Sequence, residues 1–133
     1  MDQYQFMNIE VYTNNLDENW IVARLDAHSF GVTQICWAIL PSSENNSSPL
    51  RFITAGNDGL IKIWSSKENN FGSDINSISH DHTLEGHSDV VRDIIWKYNN
   101  DANYETIISG GDVMLSLYRI MLYTFGLTIM ING

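Results

Sequence analysis

The 133-residue sequence predicts an all-β fold built from repeated units, about two of them, with incomplete strands on either side. Three observations carry that expectation. The chain repeats itself: residues 27–37 read AHSFGVTQICW and residues 86–96 read GHSDVVRDIIW, so His28/His87, Ser29/Ser88, Val32/Val91, Ile35/Ile94 and Trp37/Trp96 align without a gap. A repeat of this kind marks an array of supersecondary units. Asn57-Asp58-Gly59 stands between two apolar runs, the strongest local signal for a hairpin, because such a turn needs positive φ. No segment carries the 3.6-residue apolar period of a long amphipathic helix.

Taken in order, NIEVYTNN (8–15) reads as a strand and WIVARLDAH (20–28) as the strand leading into His28. Val32–Ala38 and Val91–Trp96 are rich in β-branched and aromatic residues and read as strands. Arg51–Ala55 and Leu60–Trp64 flank the Asp-Gly turn. In LIKIW only Lys62 is polar, and that density suits a strand shielded on both faces. RFITAGND (51–58) resembles ETIISGGD (105–112), extending the repeat. PSSENNSSP (41–49) and the stretch from Ser65 to about Asp81 are polar and read as solvated loops. Strands at this spacing with turn signals fit a sandwich, a barrel or a propeller.

Composition narrows the function. The net charge is −9 with only seven Lys and Arg, scattered along the chain. Neutralising phosphates needs clustered cations, so a nucleic-acid partner is not expected. Cys36 is the single cysteine, which excludes an internal disulfide framework. The opening residues MDQYQFMNIE show neither a basic region nor an apolar run, so a cytosolic or nuclear setting is expected.

The order of a Gly/Ala-His pair, a strand ending in Trp, a strand before Asp-Gly and a strand ending in Trp resembles the WD-repeat family of β-propellers. Ala27-His28, Thr54, Asp58 and Trp64 make the first unit nearly complete, with Ala27 in place of the usual Gly and Ser65 in place of the usual Asp. The resemblance implies a buried hydrogen-bonded chain of His28, Thr54, Asp58 and Trp64, repeated in the second unit by His87 and Ser109. A buried carboxylate needs donors, and imidazole, hydroxyl and indole complete the set. Within the family, HTLEGHSDVVRDIIW (82–96), LDAHSFGV (25–32) and FITAGNDGLIKIW (52–64) resemble the small WD-repeat subunit of the outer COPII coat, the Sec-thirteen family. The likeness covers roughly residues 8–112. It implies a partial β-propeller acting as a scaffold in ER-to-Golgi vesicle transport and in the nuclear pore outer ring. The implied partners are a larger outer-coat subunit and pore scaffold proteins, with the protein cytoplasmic and peripheral at ER membranes or at the nuclear envelope. A generic WD-repeat adaptor binding peptides in a signalling or ubiquitin-ligase complex is the alternative. No catalytic, metal or cofactor residues are expected, and the sequence does not locate the partner interface.

A blade of ~40–45 residues divides the chain into four parts. Residues 1–27 are the remainder of a preceding blade with its outer strand. Residues 28–85 form a blade with long loops, and 86–112 an incomplete second blade. Residues 113–133 are a divergent apolar tail, read as non-native. If Ser109 is the hydroxyl of the second unit, the turn Asp falls on Val113; if Asp112 is the turn residue, the hydroxyl falls on Ile108 and the closing aromatic on Tyr118. In the tail, about a dozen residues after Arg119 span ~18 Å against a ~30 Å hydrocarbon core, too short to cross. With neighbours missing on both sides, weak autonomous stability and exposed apolar edges are expected.

Other chemistry-bearing residues have simpler readings. His80-Asp81-His82 with Glu85 and His87 has ligand-type residues but no fixed geometry, and reads as a loop entering an outer strand. Cys36, between Ile35 and Trp37, reads as a small buried hydrophobe. Asp89, Arg92 and Asp93 read as rim charges that pair locally. TAGNDG and SGGD lack the helix and Lys of a phosphate loop. Asn45 and Asn46 begin glycosylation sequons in a chain for which no secretion is expected.

Overall fold

The computed structural model describes residues 8–14, 20–38, 51–66, 78–99, 104–111, 115–123 and 126–132. Among the described residues all ten elements are strands: β1 (Asn8–Asn14), β2 (Trp20–Asp26), β3 (Val32–Trp37), β4 (Arg51–Gly56), β5 (Ile61–Ser66), β6 (Ile78–Leu84), β7 (Val91–Asn99), β8 (Tyr104–Gly111), β9 (Leu115–Tyr123) and β10 (Gly126–Asn132). They form three antiparallel meanders: β1-β2, β3-β4-β5-β6 and β7-β8-β9-β10. The two four-stranded sheets have the shape of propeller blades, and the two-stranded sheet has the shape of part of one. The first strands are neighbours, with β3 and β4 lying against β7.

The middle sheet is buried on both faces, which explains its composition. On β4, Ile53 and Ala55 turn one way, joining Ile61, Ile63 and Leu84 in a core shared with Val91, Ile94, Trp96 and Ile107 of the third sheet. Phe52 turns the other way and packs with Trp64, Ile9 and Ala27, with Val11 and Leu25 of the first sheet alongside. Phe52 and Trp64 are stacked with centroids 6.1 Å apart. Burial of each such side chain stabilises by about 1.5–3 kcal/mol, so each seam between sheets is a hydrophobic interface in its own right.

A β-bulge recurs at the same place in both repeats. Pairing shifts between Val32 and Gln34 in β3 and between Val91 and Asp93 in β7, leaving Thr33 and Arg92 as the extra residues. The Thr33 hydroxyl donates to the Val91 carbonyl at 2.5 Å, tying one bulge to the next.

Two segments differ from the sequence expectation. His80-Asp81-His82 lies within β6, paired with β5, rather than in a loop. Backbone pairing along an outer strand holds polar residues in extended form without burying them, which composition alone does not reveal. Ser65 and Ser66 of that expected loop end β5, and Ile78 and Ser79 begin β6. Residues 67–77, and 39–50 with PSSENNSSP, lie outside the described residues. The backbone of 115–123 and 126–132 supplies the third and fourth strands of the last sheet, beyond the Asp112 limit drawn from the motif. Among the described residues no helix is long and apolar enough to cross a membrane.

Candidate functional site

The first repeat places four polar side chains in one buried line. His28 follows β2, Thr54 is in β4, Asp58 is in the β4–β5 turn and Trp64 is in β5. His28 Nδ1 lies 2.9 and 3.1 Å from the Asp58 carboxylate oxygens, and His28 Nε2 lies 2.8 Å from Thr54 Oγ1. Trp64 Nε1–H donates to Thr54 Oγ1 at 3.0 Å. Asp58 also accepts the backbone N–H groups of Ser29 at 3.3 Å and Leu60 at 3.1 Å.

The two ends fix the direction of the chain. An indole only donates and a carboxylate only accepts. Thr54 Oγ1 takes the indole proton, and its own proton points to His28 Nε2. His28 therefore carries its proton on Nδ1 and gives it to Asp58. This assignment requires a neutral imidazole, because a second proton on Nε2 would leave the Thr54 hydroxyl proton without that acceptor. Burial pushes the His28 pKa below its ordinary value and outweighs the opposing pull of the Asp58 carboxylate.

Local backbone geometry lets the line form. Gly59 takes φ +76°, the left-handed conformation that the turn demands. A Cβ on Gly56 would strike the His28 ring and come within 2.7 Å of Asp58 Oδ1, so only glycine leaves room for the imidazole.

The second repeat brings His87 Nε2 to 2.7 Å from Ser109 Oγ. Desolvation lowers the His87 pKa as well. Asp112 lies outside the described residues. The register resolves how this unit departs from the first. Ile35 pairs with Thr54 and Ile94 with Ser109, so Ser109 stands where Thr54 does. Two residues earlier, Phe52 pairs with Trp64 and Ile107 with Tyr118. Tyr118 thus occupies the backbone position of the closing Trp64, ten residues after the hydroxyl in the first unit and nine in the second. The second turn is one residue shorter, which is why no gapless alignment fits both ends.

A feature that sequence reasoning missed ties the two four-stranded sheets together. Arg51 donates from both terminal nitrogens to the buried Glu105 carboxylate, Nη1 reaching Oε2 at 2.9 Å, and its guanidinium carbon lies 5.0 Å from the Trp96 ring centroid. A lone Arg and a lone Glu separated by 54 residues carry no local signal of pairing. His80 packs against Trp64 with centroids 5.1 Å apart and bonds the His82 carbonyl and Thr83 Oγ1. Cys36 is half-buried beside the shared core.

A four-stranded meander locked by a His–hydroxyl–Asp–Trp line, followed by a second meander with its own His–hydroxyl pair, is the pattern of a class, the WD-repeat proteins, and the chain is one of them. The family model described as "WD domain, G-beta repeat" matches residues 19–65. Within the class the chain is Sec13-like. It is 38% identical over 87 residues to the protein transport protein sec13 of Emericella nidulans, covering 60% of this chain and 26% of that protein. It is 43% identical over 77 residues to protein transport protein SEC13 of Debaryomyces hansenii, covering 53% and 24%. To the protein SEC13 homolog of Caenorhabditis briggsae it is 31% identical over 105 residues, covering 77% and 32%. The chain thus spans between a quarter and a third of the length of these relatives.

Proposed function

We propose that the chain acts as a structural part of a protein-transport scaffold, the outer coat of ER-to-Golgi vesicles, and works by binding rather than by catalysis. The observation that carries this reading is the similarity to relatives named protein transport protein sec13, at 38% and 43% identity. The geometry is compatible with it: the described imidazoles of the repeat motif and Asp58 are engaged in holding strands together and are not gathered around an open cleft. In this reading His28, Thr54, Asp58, Trp64, His87 and Ser109 are structural locks. A stiff stack of sheets braces a longer partner, and a larger outer-coat subunit is the proposed one, at the cytoplasmic face of the ER. A second setting in the scaffold of the nuclear pore is part of the same proposal.

Affinity purification of the tagged chain from cells tests it. Recovery of the larger outer-coat subunit is the expected result; its absence from the eluate while abundant in the lysate overturns the assignment.

A further inference from the structure

The turn that closes the buried line joins two demands in one dipeptide. Asp58 is required by the line, where its carboxylate faces His28 Nδ1 and accepts the Ser29 and Leu60 amides. Gly59 is required by the backbone: its φ is +76°, and a Cβ there would come 3.0 Å from the His87 carbonyl oxygen and 3.1 Å from that of Asp89. The turn therefore lies directly against the loop that opens the second repeat. Asp58 is the sole aspartate of the chain followed by glycine. In an Asp-Gly pair the backbone nitrogen can reach the preceding side-chain carboxyl carbon, because no Cβ on the following residue stands in the way.

In the folded chain that attack is hindered at both partners. The attacking nitrogen must shed its proton, and the Gly59 N–H is turned to the Gly56 carbonyl at 3.3 Å. The carboxyl group must swing its carbon toward that nitrogen, and both of its oxygens are held. Oδ1 lies 2.9 Å from His28 Nδ1 and accepts the Leu60 N–H at 3.1 Å; Oδ2 lies 3.1 Å from His28 Nδ1 and accepts the Ser29 N–H at 3.3 Å. Behind them Thr54 and Trp64 fix the imidazole. The turn itself is closed by the Gly56 N–H donating to the Leu60 carbonyl at 3.2 Å, and Asn57 donates to the Gly31 and Phe30 carbonyls at 3.0 and 2.8 Å.

We infer that Asp58-Gly59 is a covalent modification site, converted to isoaspartate when the turn opens and sheltered from that reaction by the buried line. The Gly59 nitrogen attacks Asp58 Cγ and a C–N bond forms. The hydroxyl of the protonated carboxyl group leaves with the amide proton as water. A second water then opens the five-membered imide at its Cα-side carbonyl. The product has the same composition, but its backbone runs through Asp58 Cβ and Cγ and is one atom longer, and the former main-chain carbonyl is the free carboxylate. Such a turn cannot keep the Gly56–Leu60 bond, the close approach to His87 and Asp89 and the contact with His28 together. The modified chain is thereby barred from rebuilding this blade. It also presents the carboxylate that an isoaspartyl methyltransferase, using S-adenosylmethionine, would take as substrate. The inference rests on the turn alone and is independent of the coat assignment.

The test incubates the whole chain at neutral pH with and without urea and locates isoaspartate by peptide mapping. The product at Asp58 keeps its mass, which separates it from deamidation at Asn76-Ser77 or Asn132-Gly133. Conversion at Asp58 is expected to be at least about tenfold faster in urea than in the fold, because only the opened turn reacts. Thr54→Val loosens His28 and should speed conversion of the folded chain about tenfold while leaving the rate in urea unchanged. Methyl transfer from labelled S-adenosylmethionine by a purified isoaspartyl methyltransferase should mark the urea-aged chain and spare the fresh one. Equal rates with and without urea overturn the inference, as does the absence of conversion in urea. A Thr54→Val chain whose urea midpoint falls but whose folded rate stays that of the unaltered chain overturns the sheltering role of the line. Should Thr54→Val not fold, its two rates coincide and the ratio for the unaltered chain decides by itself.

Discussion

Arg51 and Glu105 join the two four-stranded sheets through a two-pronged ion pair, with Trp96 beneath the guanidinium. Glu105 is almost fully buried, so the pair is desolvated on the carboxylate side. Removing one member leaves a buried charge without its partner, a loss of about 3–5 kcal/mol at full burial; the partial exposure of Arg51 moves the expectation to the lower end.

Arg51→Met alone and Glu105→Gln alone are therefore each expected to lower the urea midpoint, and the two single losses should add to more than the loss in the double variant. The coupling in this double-mutant cycle should be about 1–3 kcal/mol. Additive losses would mean that the pair does not act as a unit.

Thr54→Val tests the buried line by deleting the hydroxyl at constant shape. It leaves the Trp64 indole N–H and His28 Nε2 unpaired together, at about 1–3 kcal/mol for each orphaned group. Thr54→Ser restores the hydroxyl and should recover most of the loss. Equal destabilisation by serine and valine, measured by chemical denaturation, would show that the methyl group matters and the hydroxyl does not.

Gly56→Ala places a methyl group against the His28 ring and Asp58. The expected loss is about 1–3 kcal/mol, from displacement of tightly packed groups. Hydrogen exchange should rise first in the Asn57–Leu60 turn, where Asp58 holds the Leu60 amide.

Acid should destabilise the fold through its histidines. Burial lowers the folded-state pKa of His28 and His87 below the ordinary 6.5, so the unfolded chain binds more protons at intermediate pH. Stability from these groups is fully present above the unfolded value of 6.5 and declines as pH falls from there toward the lower folded values. The urea midpoint should fall between about pH 7.5 and about pH 5.5, and His28→Asn should flatten that fall. A midpoint that rises over this interval would contradict the neutral-imidazole assignment.

Much of this architecture is legible in the residues, because short-range physics sets it. Asp58-Gly59 dictates a turn, LIKIW dictates a strand covered on both faces, and the resemblance to the WD-repeat pattern implies the line of Asp58, His28, Thr54 and Trp64. The second repeat was harder to read because a turn shorter by one residue moves Tyr118 out of any gapless alignment while leaving it in register with Ile107. The polar β6 was unreadable as a strand because its stability comes from backbone pairing with β5. The Arg51–Glu105 bridge was invisible for a different reason: it depends on how two sheets meet, and no local pattern encodes that.

The single-residue interruptions at Thr33 and Arg92 keep parity. Side chains along a strand point alternately, so Val91 and Ile94, three places apart, would face opposite flanks of a regular strand. The bulge absorbs Arg92, and both are buried in the shared core together with Trp96. Deleting Arg92 would therefore leave all three on that flank, whereas a second insertion between Val91 and Ile94 that the bulge did not absorb would turn Val91 to the opposite one.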